Sequence, residues 1–375
     1  MEIPEVDEIL PGGMEEGAHP FAFHVSGPRN VASLNWRDII NSSWKDEKYR
    51  RTVMACFIQA VYLLELDRQE KRTKENALAP NWWLPFKYKL VKTLIDERDK
   101  SIFGAVLEWD QIAARASMIP FRLNGAPKAI IVLRGTLLKT PTMRRDIEDD
   151  LRFLAWESLR GSVRFAVALE ALRAASESYG SCHVCIAGHS LGAGFALQVG
   201  KALAKEGLFV ETHLFNPPSV SIAMSLKEIG EKAETAWKRI RAMLPLAGEP
   251  ESVGATQSTG PAGSVGLKKW VPYLKSSSPG ESQKWIPNLY VNDGDYICCS
   301  YTNPDGPKEN RVVGESDVAA KLFVTSKGKQ KFLEAHGLQQ WWSDDVQLQL
   351  AVQNSRVISR QLKSLYHQTP LLPKP

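Results

Sequence analysis

Apolar and polar positions along this chain fall into two rhythms. Over residues 46–70, apolar side chains recur at Val53, Phe57, Val61 and Leu64, the spacing of one buried helix face. A second helical pattern runs over residues 147–179, through Ile147, Leu151, Leu154 and Leu159, then Val163, Val167, Ala171 and Ala174. Gly180 closes it. A third begins at Leu191 and carries Phe195, Leu197, Val199 and Leu203 among alanines. Between these lie short apolar runs suited to buried strands: residues 105–109, 129–133 (AIIVL), 184–187, 210–215 and 288–291. Residues 89–100 mix both charges and read as surface helix and turn, residues 76–85 as a loop holding Trp82 and Trp83, and residues 331–365 as helix. Strands alternating with helices predict an α/β fold, with a mostly parallel central sheet covered by helices on both faces. In such sheets the sites lie at the carboxyl ends of the strands.

Length and composition set the frame for that sheet. The chain has 375 residues, 43% of them hydrophobic, enough for one large α/β domain. We expect residues 1–20 to be a disordered N-terminal segment, residues 21–365 a single domain, and residues 366–375 a tail. Residues 246–283, rich in Gly, Ser and Pro, are expected to form a flexible insertion, in which Trp270, Val271 and Tyr273 offer a small docking patch. The net charge of +5 is spread along the chain, which argues against nucleic-acid binding. The acidic N-terminus reads as neither a secretory signal nor a transit peptide. The longest apolar stretch, residues 53–66, is interrupted by Gln59 and Glu65 and is too short to span a bilayer. A cytoplasmic protein is expected, with peripheral membrane or lipid-droplet contact left open and oligomeric state unknown. Five cysteines fit reduced thiols in core packing better than a disulfide framework. Neither a cofactor nor a metal is expected. Cys182 and Cys185 form a C-x-x-C, but strand alternation would turn them to opposite faces.

The chemistry concentrates where the run Val184–Ala187 meets Gly188-His189-Ser190-Leu191-Gly192. This is G-x-S-x-G between a strand and a helix, a tight bend that presents a serine hydroxyl. Side chains at Gly188 and Gly192 would clash with the neighbouring strand and helix. A serine hydroxyl becomes a strong nucleophile when an imidazole takes its proton and a carboxylate fixes that imidazole. Three histidines follow Ser190. His213 lies inside a strand and His367 in a Pro-rich tail. His336 lies at a turn and is the expected base. For the acid, Leu289-Tyr290-Val291-Asn292-Asp293-Gly294-Asp295 is a strand followed by a turn; Asp295 is favoured and Asp293 is the alternative. Negative charge developing on a substrate oxygen needs donors, and the backbone N–H of Leu191 is one. Thr136, after Arg134-Gly135 at the end of the AIIVL strand, is the other.

Taken together, IIVLRGT, Asp146 with Asp149-Asp150-Leu151, IAGHSLGAGFA, VNDGDYICC and EAHGLQQWW resemble the class 3 (fungal-type) lipase family. The likeness is greatest to its plant lipase-like members, sometimes labelled GDSL esterase/lipase, although no Gly-Asp-Ser-Leu occurs here. It covers roughly residues 53–342. It implies an α/β-hydrolase fold, a Ser190–Asp295–His336 triad, an oxyanion hole at Thr136 and Leu191, and hydrolysis of lipid esters through an acyl-enzyme. The chain departs from the family where Tyr296-Ile297-Cys298-Cys299 replaces Val-Pro and Leu-Pro pairs. It departs again where Leu137-Leu138-Lys139-Thr140-Pro141 replaces the approach to a Trp-bearing lid. Trp82, Trp83, Leu137, Leu138 and Met143 are candidates to line an acyl site. Two other functions share these residues: a weak or inactive lipase-like interaction protein, and an acyltransferase or thioesterase using the same triad.

Overall fold

The computed structural model describes residues 19–29, 44–73, 75–119, 121–137, 162–218, 285–302, 320–328, 330–343, 348–351 and 358. By internal contacts the chain divides into two units, residues 1–228 with 285–375, and residues 229–284. The second lies outside the described residues, as do the expected insertion and its docking patch, residues 1–18 of the expected N-terminal segment, the C-terminal tail, and Leu138 and Met143.

Among the described residues eight strands form one sheet in sequential order. These are β1 (Tyr88–Ile95), β2 (Ile102–Trp109), β3 (Ala129–Leu133), β4 (Val184–His189), β5 (Glu211–Phe215), β6 (Asn288–Asn292), β7 (Lys321–Thr325) and β8 (Gln349–Ala351). Strands β3 to β7 are parallel, while β1, β2 and β8 add antiparallel edges. The α/β expectation therefore holds. The helices are α1 (Phe23–Ser26), α2 (Glu47–Gln69), α3 (Gln111–Ala116), α4 (Val163–Tyr179), α5 (Leu191–Lys205) and α6 (Phe332–His336). None of the described helices is long and apolar enough to cross a membrane.

Strand alternation divides the core into two layers. Ile131, Leu133 and Ile186 face Phe165, Leu172, Phe195 and Leu203 of α4 and α5. Ile130, Val132, Cys185 and Ala187 face Val53, Phe57 and Val61 of α2 on the other side. Helix α2 starts where the sequence suggests, because the Asp46 carboxylate accepts from the Lys48 N–H and caps its first turn.

Two expectations are corrected. Residues 89–100 are not helical: most of the stretch is β1, an edge strand whose exposed Lys89 and Lys92 conceal a pattern with Tyr88 and Leu94 buried. Charged side chains are common on such edges because they discourage pairing with other chains. Nor are residues 331–365 one helix. Helix α6 stops at His336, a 3₁₀ turn (Leu338–Trp341) carries Trp341 into the core, and the chain returns as β8 beside β7. Burying the indole of Trp341 outweighs continuing the helix. The pair Trp82 and Trp83 is buried in the core, with Trp82 edge-on to Phe23 and Trp342.

Candidate functional site

Ser190, Thr136 and Asp295 follow the carboxyl ends of β4, β3 and β6, three members of the parallel set, and so lie along one edge of the sheet. Ser190 has φ 53° and ψ −125°, a strained conformation for a residue with a side chain. It joins β4 to α5 without a connecting loop. A Cβ on Gly188 would lie 2.3 Å from the Gly192 carbonyl oxygen, and one on Gly192 would lie 2.5 Å from that of Leu133. Both glycines of the motif are thus required by close backbone approach. Ser190 is only 4% exposed, more enclosed than the open turn expected from its motif. Part of the reason is the loop after β3: a Cβ on Gly135 would come within 2.9 Å of the Ser190 Cβ.

Asp295 and His336 meet directly. His336 Nδ1 lies 2.8 Å from Asp295 Oδ2, with both side chains buried. The alternative acid, Asp293, is exposed. The Asp295 carboxylate is surrounded by donors. Asn216 Nδ2 donates to Oδ2 at 2.7 Å, the Ile297 N–H to Oδ1 at 3.1 Å, and the Cys298 thiol to Oδ2 at 3.3 Å. Burial favours the neutral acid, but the His336 imidazole, Asn216 and the Ile297 N–H outweigh it and hold the carboxyl below its ordinary range. An imidazole gripped at Nδ1 by a carboxylate has Nε2 left to accept a proton.

Ser190 is tied to His336 through its own neighbour. His189 Nε2 donates to the His336 carbonyl oxygen at 2.8 Å, and the two rings lie 4.9 Å apart. A carbonyl can only accept, so the proton sits on Nε2 and Nδ1 must accept. The Tyr62 hydroxyl supplies it at 2.8 Å and in turn accepts from the Gly135 N–H at 2.8 Å. One directed chain therefore links the loop after β3, helix α2, the motif and the backbone of His336. Burial, with His336 nearby, pushes the His189 pKa down to about 3, so this ring is neutral at physiological pH. Replacing Tyr62 by Phe removes one acceptor and one donor, stranding the Gly135 N–H and His189 Nδ1. We expect a loss of about 1–3 kcal/mol for each stranded group, read as a lowered denaturant midpoint with an unchanged m-value.

Asn216, Tyr62, His189 and Trp341 were not singled out as site residues from sequence. Asn216, at φ 46°, also donates to the Ala335 carbonyl oxygen, while Trp341 Nε1 donates to its Oδ1 at 2.7 Å. Its place just beyond β5, on the edge that carries Ser190 and Asp295, was the signal available. Nothing in the pattern of α2 distinguishes Tyr62. Of the other histidines, His213 is fully buried in β5, as its strand position suggests, and His367 lies outside the described residues. Thr136 is half-buried after β3, and Leu191 opens α5.

Among the described residues one group has metal-ligating chemistry: Cys185, Glu211 and His213, with ligand atoms within 4.8 Å of one another. It is satisfied internally. Tyr290 and Glu211 engage the two His213 ring nitrogens at 3.0 and 3.1 Å, and Arg50 lies 3.5 Å from Glu211. Of the C-x-x-C pair, Cys182 is exposed and Cys185 buried.

The fold and this edge define an α/β protein with a strained serine at a strand-to-helix turn and, on the same sheet edge, a buried carboxylate–imidazole pair. No protein-family model matches the chain. A protein of Arabidopsis thaliana named GDSL esterase/lipase is 30% identical over 352 residues, covering 86% of this chain and 95% of that protein. The chain belongs to that plant lipase-like family. Its own serine lies in Gly-His-Ser-Leu-Gly rather than Gly-Asp-Ser-Leu.

Proposed function

We propose that this protein is a serine carboxylester hydrolase of the class 3 lipase type, built on an α/β-hydrolase fold and cleaving acyl esters of lipids. The observation that carries this reading is the buried Asp295–His336 pair, 2.8 Å apart, on the edge where Ser190 joins β4 to α5. The name of the Arabidopsis relative, an esterase/lipase, supports the same class of reaction.

In this reading His336 Nε2 takes the Ser190 proton as the hydroxyl oxygen attacks the ester carbonyl. The Leu191 N–H, at a helix N-terminus, and Thr136 stabilise the negative oxygen. The imidazolium then protonates the leaving alcohol, and an acyl-enzyme remains. Water, deprotonated by His336, attacks the acyl carbon; the acid departs and Ser190 regains its proton. Asp295 stays ionised throughout and stabilises the imidazolium.

A fluorophosphonate probe is expected to label the wild-type chain on the peptide containing Ser190 and to leave Ser190→Ala unlabelled. Failure to label the wild type, together with no turnover of p-nitrophenyl esters, would sink this reading. A chain-length series of such esters, with and without lipid droplets, then separates a lipase from a short-chain esterase.

A further inference from the structure

Seven large apolar side chains are exposed among the described residues, and the three most exposed are neighbours in sequence. Ile112 is 81%, Met118 82% and Phe121 80% exposed, whereas the other four lie between 46% and 50%. These three occupy α3 and the segment after it. That segment is anchored from beneath: Ala114 and Ile119 are buried against Trp109 and Leu123 in a small core of their own. The Asp110 carboxylate caps α3 through the Ile112 and Ala113 N–H groups, and Met118 takes φ 60°, a left-handed conformation uncommon for a long side chain. The local structure thus turns Ala114 and Ile119 inward and three large apolar side chains out.

Charge points the same way. Residues 110–128 hold three cations, Arg115, Arg122 and Lys128, against one carboxylate, Asp110, which is occupied as a cap. Arg115 and Lys128 are exposed. Three separate side chains present far less than the ~800 Å² per partner of a stable protein interface. Large apolar side chains flanked by cations suit a bilayer instead, because apolar tips enter the acyl boundary while cations meet anionic headgroups.

We propose that Ile112, Met118 and Phe121 form a docking point for an anionic lipid surface. It is independent of the ester-hydrolase reading and separate from that site. The segment leads into the amino end of β3, where Ala129 pairs with Val184, whereas Ser190 follows the opposite end of β4. A protein docked here keeps its serine edge away from the bilayer that holds it.

The test is sedimentation of the full chain with vesicles of phosphatidylcholine, with and without phosphatidylserine. Wild type is expected to co-sediment with the anionic vesicles, and added salt to weaken the binding. Replacing Ile112, Met118 and Phe121 together by Ser is expected to lower binding at least about tenfold. Arg115→Gln with Lys128→Gln is expected to remove the preference for phosphatidylserine. All three forms should keep the same melting temperature and the same turnover of a soluble p-nitrophenyl ester. If wild type fails to bind, or the triple variant binds equally well, the proposal is overturned. A wild type that sediments as a dimer, with a monomeric triple variant, overturns it in favour of an interface between copies. Loss of ester turnover in every form, wild type included, would count against the hydrolase reading and leave the vesicle result intact.

Discussion

Asp295→Asn is expected to lower kcat by about 10⁴-fold while leaving the fold in place. The carboxylate accepts from His336 Nδ1, Asn216 Nδ2, the Ile297 N–H and the Cys298 thiol. An amide of the same shape has one oxygen and one NH₂, so it must turn a donor toward one of these donors. If the NH₂ faces His336, Nδ1 becomes an acceptor, the ring proton moves to Nε2, and the ring can no longer take the serine proton. Ester turnover measures the loss, and ring nitrogen chemical shifts of His336 report the tautomer. A second consequence is a pH effect of known sign. The folded-state pKa of Asp295 is depressed, so its contribution to stability is complete above the unfolded value of about 3.9 and is lost as pH falls through the folded value. The Asn variant should lack that part of the acid limb in a plot of melting temperature against pH. A variant with near wild-type kcat would remove Asp295 from the chemistry.

His336→Ala is expected to lower kcat by on the order of 10³-fold or more. It removes the group proposed to take the serine proton and leaves the buried Asp295 carboxylate with Asn216, the Ile297 N–H and the Cys298 thiol as its donors. Removing one hydrogen-bond donor from a buried carboxylate costs about 1–3 kcal/mol, so a fall in melting temperature should accompany the loss of rate. His336→Gln, which keeps a polar side chain of similar reach, separates the effects: it should recover part of the stability and none of the rate. The ring also stacks on Phe332, with centroids 5.1 Å apart and planes at 13°, so the alanine variant loses packing as well. Near-normal activity in His336→Ala would transfer the base role to His367. His213 cannot take it, because it is fully buried with both ring nitrogens engaged by Tyr290 and Glu211.

The middle of the sheet was legible because β3 and the start of β4 are continuous apolar runs. Strand β3 coincides with AIIVL, and β4 with the run that ends in the serine motif. Buried on both faces, these strands have no polar alternation to disguise them. The edges were less legible. Strand β1 is charged on its open side, and β8 is only three residues long. Periodicity predicts a long helix where only the short α6 forms, since a local pattern carries no information about where Trp341 must be buried.

The sequence alone determined the α/β class, the strand-to-helix placement of Ser190, and the short list of partners containing Asp295 and His336. Each depends on residues close together in the chain, where spacing translates directly into local geometry. Tertiary structure decided which aspartate meets the imidazole, and it enclosed Ser190 beneath the loop of Gly135. It also assembled the hydrogen-bonded path from Gly135 through Tyr62 and His189 to the backbone of His336, a path whose ends lie 201 positions apart (from 135 to 336). Contacts at such separation depend on how strands stack in the sheet and how α2 crosses it. No local pattern encodes that, because the groups involved are complementary only after the core has brought them together.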